Sequence, residues 1–166
     1  MADQRMADQR TRSYPGRGIT VEYEVGRCLH AAECVRGLPG VFDTERRPWI
    51  DPDGAPPDAV AEVIRRCPSG ALRYRRTDGG PDERPPVPTR VTRRPDGVLH
   101  LHGDLRIETP DGPETATRAM LCGCDRTANP PYCDHSGRCA EHDPAGHDSP
   151  GHDSAEHDKG STSEQA

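Results

Sequence analysis

Large apolar side chains are scarce in this sequence. Of its 166 residues, 31% are hydrophobic and 4% are aromatic, with a single tryptophan and a single phenylalanine. A typical globular domain is roughly 45 to 50% apolar when glycine is counted. Any core must therefore be small, and domains with small cores usually need a metal site or disulfides for stability.

Several sequence signals of function class are also missing. No stretch is long and apolar enough to span a bilayer, and the N-terminal region lacks the apolar segment of a signal peptide, so we expect a cytoplasmic protein with no membrane partner. All of the net charge of -6 lies in the tail after residue 139, and the rest is not basic enough to predict nucleic acid binding. We find no nucleophile-and-base motif, phosphate-binding glycine loop or dinucleotide fingerprint, and therefore do not expect an enzyme.

The seven cysteines are the most informative residues of the chain. An odd number argues against a closed disulfide framework, and their spacings are typical of metal ligands. They fall into two groups. The first consists of Cys28, Cys34 and Cys67, and the second of Cys122, Cys124, Cys133 and Cys139.

The first group follows part of a ferredoxin pattern. Bacterial ferredoxins space three cysteines as C-x2-C-x2-C and add a distant Cys-Pro. Here Cys28 and Cys34 occupy the outer positions, Ala31 replaces the middle cysteine, and Cys67 precedes a proline. Three thiolates suit a 3Fe-4S cluster, or a 4Fe-4S cluster whose last iron has another ligand. His30 is the nearest candidate for that ligand, and the alternatives are that it is a solvated helix residue or a hydrogen-bond donor to cluster sulfur.

Hydrophobic periodicity predicts an α+β fold: a small ferredoxin-like domain followed by a small antiparallel β domain with a metal-binding loop. The predicted elements of the first domain are a strand at 19–25, a helical turn at 30–35, a helix from Pro57 to Cys67 and a strand at 71–75. In the second domain we predict strands at 89–94, 98–102, 105–109 and 114–121, with a hairpin turn at Gly103-Asp104.

The predicted domains cover residues 13–80 and 89–139, and a proline-rich linker at 81–88 joins them. We expect disorder in the leader, residues 1–12, and in the tail, residues 140–166, which repeats His-Asp every five residues. The tail composition is typical of an acidic solubilising segment, and a weak metal site is the alternative.

The second cysteine group has the spacing C-x-C-x8-C-D. Cys122, Cys124 and Cys133 are followed closely by His135 and Cys139. This set could hold an iron-sulfur cluster or a structural zinc ion. Zinc knuckles favour C-x2-C spacing, so the pattern favours iron-sulfur over zinc.

Both halves of the chain resemble known iron-sulfur families. Residues 19–75, with the segments CLHAAECVRGLPGVF, RRPWIDPDGA and CPSGALRY, resemble the YjdI-like divergent 4Fe-4S mono-cluster ferredoxin domain. Residues 98–137, including LCGCDRTANPPYCDHSG, resemble the CDGSH domain of the mitoNEET class. The second resemblance implies a 2Fe-2S cluster held by three cysteines and one histidine, and it also implies that the protein could form a homodimer.

The chain departs from the CDGSH pattern at the fourth ligand. The family has a histidine four residues after its third cysteine, where this chain has Gly137. The ligand roles of Cys122, Cys124 and Cys133 carry over, and the fourth could be His135, Cys139 or His142. We slightly prefer Cys139 because the family loop reaches forward to a similar distance.

The expected function is therefore that of a bacterial iron-sulfur protein. It would carry single electrons, or hold and transfer a cluster, through transient contact with a redox or cluster-transfer protein. The alternatives are a cluster-based sensor of oxidant or iron and a structural zinc module that mediates interactions.

Overall fold

The computed structural model describes residues 11–137 and Cys139. The predicted tail, residues 140–166, and all but the last two residues of the predicted leader lie outside this part. The described residues form a mixed α/β structure with two three-stranded antiparallel sheets and two short α-helices. Within them, no helix has the length and apolar character needed to cross a membrane.

The first sheet has the strand order β1-β2-β3. Its strands are β1 (Thr11–Pro15), β2 (Ile19–Glu24) and β3 (Leu72–Arg76). Two helices lie between β2 and β3 along the chain, α1 (Glu33–Gly37) and α2 (Pro57–Arg65), and short 3-10 turns cover Val25–Arg27 and Pro52–Gly54. β2 alternates buried and half-buried residues, as the sequence pattern predicted.

The core of this first unit lies between β2, β3 and α2. Proline in the first turn and Asp58 near the N-terminus suit the start of α2, and the helix buries Val60, Val63 and Ile64. These residues pack with Ile19, Val21, Tyr23, Val41, Phe42, Ile50, Ala61, Ala71, Leu72 and Tyr74. Cys28, Cys34 and Cys67 are packed at the margin of this core.

The second sheet has the strand order β4-β5-β6. Its strands are β4 (Arg90–Arg93), β5 (Leu99–Thr109) and β6 (Gly112–Leu121), and residues 77–89 contain no helix or strand. β6 leads directly into Cys122, as predicted. The buried apolar residues of this unit fall into two small clusters, and one of them includes Leu29 of the first unit.

The predicted hairpin turn at Gly103-Asp104 is wrong. β5 runs without a turn through these residues and is irregular between His102 and Leu105. His102 pairs with Arg118 and Leu105 with Ala116, so β5 has one residue more than β6 between these two pairs. This extra residue is typical of a β-bulge, which also favours glycine. The second sheet accordingly has three strands where four were predicted.

Three other boundaries differ from prediction. β1 was not predicted, because its sequence lacks a regular alternation of apolar and polar residues. It begins at Thr11, inside the range that was assigned to the leader. The helical turn predicted at 30–35 begins only at Glu33, since His30 and Ala32 have left-handed backbone conformations, with φ of 53° and 58°. The second helix ends at Arg65 rather than Cys67, consistent with the steric restriction that proline places on the residue before it.

Candidate metal centres

The structure brings the three cysteines of the first group to one cavity. Cys28 follows the 3-10 turn after β2, Cys34 lies in α1, and Cys67 lies two residues beyond the end of α2. All three are free thiols, are half-buried and line one small cavity of about 30 Å³. We call this the first centre.

The walls of the first centre are largely apolar. Leu29, Trp49, Ala71 and Leu72 line the cavity together with the thiols. The Trp49 ring stacks edge-on against Tyr23, with 4.9 Å between the ring centroids. Burial, together with the neighbouring Cys67 and Cys28, raises the pKa of Cys34 to about 11. Three thiolates here need a metal ion or cluster to balance their charge, and binding it would release protons.

The sequence left the fourth ligand of the first centre open, with His30 as a candidate. His30 is exposed and is not one of the residues that line the cavity. Two hydroxyl groups lie beside the thiols instead. Tyr23 interacts with Cys28, and its pKa is raised by burial and then by that thiol. Ser69 Oγ lies 3.7 Å from Cys67 Sγ.

Sequence reasoning missed both hydroxyl groups, although two signals were present. Tyr23 occupies an inward position in the alternation of β2, and Ser69 lies two residues after Cys67.

Three converging thiols in an apolar enclosure fit an iron-sulfur cluster held by three protein thiolates.

The second group converges after the end of β6. Cys122 Sγ and Cys124 Sγ are 3.5 Å apart, and Cys139 Sγ is 3.4 Å from Cys124 Sγ. All three sulfur atoms lie within 4.8 Å of one another. Two backbone hydrogen bonds join the chain at Cys122 to the chain at Cys133, because Cys122 N donates to Pro131 O and Cys133 N donates to Met120 O. We call this the second centre.

Cys133 and His135 lie on the loop between Cys124 and Cys139. Cys133 is 2% exposed and belongs to the same buried cluster as Cys139, but it is outside the group of three. His135 has a left-handed backbone, and its Nε2 is buried without a hydrogen-bond partner. The structure thus places Cys139 directly beside Cys122 and Cys124, and it does not place His135 there. His142 lies outside the described residues.

The thiols of the second centre differ in acidity. Hydrogen bonds from the Arg126 backbone N–H and then from the Cys139 thiol lower the pKa of Cys124 to about 7. Burial and then the Cys124 interaction raise the pKa of Cys139 to about 12. Cys124 is therefore the most readily ionised of this pair and would be the first to coordinate a metal as thiolate.

Side-chain hydrogen bonds hold the loop that carries Cys133. Asp134 accepts from Ala128 N at 2.8 Å and from Ser136 N at 3.0 Å. Thr127 Oγ1 donates to Tyr132 O at 2.7 Å. The loop that carries Cys133 is thus held by hydrogen bonds that do not involve a cysteine sulfur.

The first unit matches a known family. The family model described as "Divergent 4Fe-4S mono-cluster" matches residues 14–77. The YjdI proteins of Escherichia coli strain K12 and of Escherichia coli O157:H7 are each 44% identical to this chain over 73 residues. Those residues make up 44% of this chain and 96% of each relative. No solved structure matches this chain. Through its first unit, the chain belongs to the divergent 4Fe-4S mono-cluster family.

Proposed function

We propose that this protein holds two iron-sulfur clusters and serves as a single-electron carrier or as a protein that holds and passes on a cluster. The observation that carries the proposal is the apolar cavity lined by Cys28, Cys34 and Cys67, within the residues that match the family. Iron-sulfur clusters, when bound, accept and release single electrons. A 4Fe-4S cluster is the choice for the first centre, and 3Fe-4S is the alternative.

The side chains of the first centre have distinct roles in this proposal. The three cysteines hold iron as thiolates, while Leu29, Trp49 and Leu72 limit the access of water. The Tyr23 hydroxyl, beside Cys28, stabilises negative charge on that sulfur. Hydrogen bonds to sulfur and restricted solvent access both tune the reduction potential of a bound cluster.

For the second centre we propose a CDGSH-like 2Fe-2S site. Cys122, Cys124 and Cys133 correspond to the three cysteines of that pattern, and the contact of Cys139 with Cys124 supports Cys139 as the fourth ligand. An all-cysteine set also suits structural zinc, so a zinc-binding interaction module is the second candidate for this centre. The sensor alternative applies to either cluster and predicts cluster loss during brief exposure to air.

The remaining parts of the proposal concern organisation and partners. We propose domains at 13–80 and 89–139, a cytoplasmic location and transient contact with a redox or cluster-transfer protein. The proposal includes no catalytic activity of its own and neither nucleic acid nor membrane as a partner. The CDGSH resemblance supports testing for a homodimer by sedimentation velocity.

The experiment is metal and sulfide analysis of protein purified without oxygen. We expect about five to six irons per chain with matching acid-labile sulfide, as the two cluster types require. Cys67→Ser should remove the iron of the first centre, and Cys124→Ser that of the second. Zinc without sulfide would refute the iron-sulfur proposal for both centres.

Matched substitutions decide the fourth ligand of the second centre. Cys139→Ser should lower the iron content of that centre or change its absorption spectrum, whereas His135→Ala should do neither. The opposite result would assign the ligand to His135. In that case mildly acid pH should promote cluster loss, because an imidazole ligand can be protonated.

A further inference from the structure

A buried arginine of the second sheet holds the segment that carries Cys67. Arg118 lies in β6, and 2% of its side chain is exposed. Its Nη1 donates to the carbonyl oxygens of Ile64 and Cys67, the latter at 3.2 Å, and its Nη2 donates to Leu72 O at 3.2 Å. These three carbonyls flank or belong to the turn that brings Cys67 from α2 to the first centre.

Arg27 also holds this segment. Its Nη2 donates to Ser69 O at 3.3 Å and to Arg118 O at 2.9 Å, and its side chain is 1% exposed. Its guanidinium carbon also lies 4.4 Å from the centroid of the Tyr132 ring in the second unit. Four carbonyls between Ile64 and Leu72 therefore accept hydrogen bonds from two buried guanidinium groups.

The approach of the two units at this point depends on a glycine. Gly70 has φ +68°, and a Cβ there would collide with the carbonyl oxygen of Arg118. The turn after Cys67 thus packs backbone against backbone on β6. Arg118 lies outside the residues 14–77 that match the family, so its contact with the Cys67 segment is not part of the matched pattern.

One carboxylate, that of Glu83, is paired with the charge of Arg118. Its Nη2 contacts Glu83 Oε2 at 2.8 Å, while the other groups that accept hydrogen bonds from it are neutral carbonyls. A buried cation is costly unless it is paired and hydrogen-bonded, and here the hydrogen bonds come from the segment that holds a cluster ligand. A cluster held by thiolates gains negative charge on reduction, and a nearby fixed cation stabilises that reduced state.

We propose that Arg118 is a positioning residue for the first centre, which orients the Cys67 segment and raises the reduction potential of the cluster held there. This inference rests on the iron-sulfur function proposed above. It makes the second sheet part of the first centre: the unit that matches the family supplies the thiolates, and the added unit supplies a buried cation beside one of them.

The test is the midpoint potential of the first cluster in the full chain. Redox titration followed by low-temperature EPR, which separates four-iron from two-iron signals, gives this value without a protein partner. Arg118→Gln should lower the equilibrium constant for one-electron reduction of the cluster by about tenfold, which corresponds to a shift of about 59 mV to lower potential. Arg118→Lys keeps the charge and should change the equilibrium by less than about threefold.

Two further variants separate charge from folding. Glu83→Gln removes the carboxylate beside Arg118 and should shift the potential upward, opposite to Arg118→Gln. The matched control is Arg106→Gln, which removes an equal charge from an exposed ion pair with Glu108 on β5. It should change the equilibrium constant for reduction by less than about threefold.

An unchanged or raised potential in Arg118→Gln would overturn the inference. If that variant fails to retain the cluster, Glu83→Gln decides alone, and an unchanged or lowered potential refutes the role of the charge. Equal downward shifts in Arg118→Gln and Arg118→Lys would also refute it, because loss of packing rather than charge would then be the cause. A native chain without acid-labile sulfide would instead refute the proposed function.

Discussion

Truncation of Leu29 should weaken both metal centres at once. Leu29 follows Cys28 and lines the first cavity, yet it is 9% exposed and packs with Val98, Met120, Cys133 and Cys139 of the second unit. Leu→Ala changes in cores cost about 2 to 5 kcal/mol. Because Leu29 lies beside a cavity and at the edge of a small cluster, we expect Leu29→Ala to lower the free energy of unfolding by about 2 to 3 kcal/mol.

The assay has two parts. Urea unfolding of the metal-free chain gives the free energy, with Val91→Ala as control, since Val91 is 62% exposed and its truncation should cost less than about 0.5 kcal/mol. Chelator-induced bleaching of the loaded protein then gives the rate of loss for each cluster, and both rates should rise. Faster loss at the first centre alone, with unchanged unfolding, would show that Leu29 does not link the two units.

Two further predictions use matched positions. Gly70→Ala should destabilise the chain by about 3 kcal/mol or more, because left-handed strain adds to a collision with the Arg118 carbonyl. Gly97→Ala, at φ +84° with open space around it, should cost about 1 kcal/mol in the same unfolding assay, and equal costs would contradict the close approach. In metal-free protein, alkylation of Cys124 should reach half its maximal rate near pH 7, since the thiolate is present above its pKa and lost below it, whereas Cys139 should react only in strong alkali. Mass spectrometry of the labelled peptides checks this order, and one shared pH profile would contradict it.

Local pattern predicted much of the first unit. Strict alternation in β2 and the apolar spacing in α2 concern neighbouring residues, so they can be read from the sequence. The grouping of Cys28, Cys34 and Cys67 followed from the ferredoxin-like spacing, and the structure brings them to one cavity.

The features that the sequence did not predict depend on distant contacts. Arg118 is a charged residue in a strand, which usually indicates a solvent-facing position, and only the packing of the two units shows that it is buried. Tyr23 was predicted only as part of a strand. Its contact with Cys28 was not predicted, because that contact depends on the turn between the two residues. The hairpin error at Gly103-Asp104 arose because glycine suits a bulge as well as a turn.

The scarcity of apolar residues explains where the two centres lie. Cys28, Cys34 and Cys67 pack at the margin of the first core, and Cys133 and Cys139 are two of the five buried residues in the cluster that includes Leu29. Thiols therefore occupy positions that bulky apolar side chains would fill in a larger core. A bound cluster would cross-link such positions through several thiolates at once, and its binding free energy would add to the stability of the folded state. The second unit should depend on this contribution more than the first, because its buried apolar residues are divided between two small clusters.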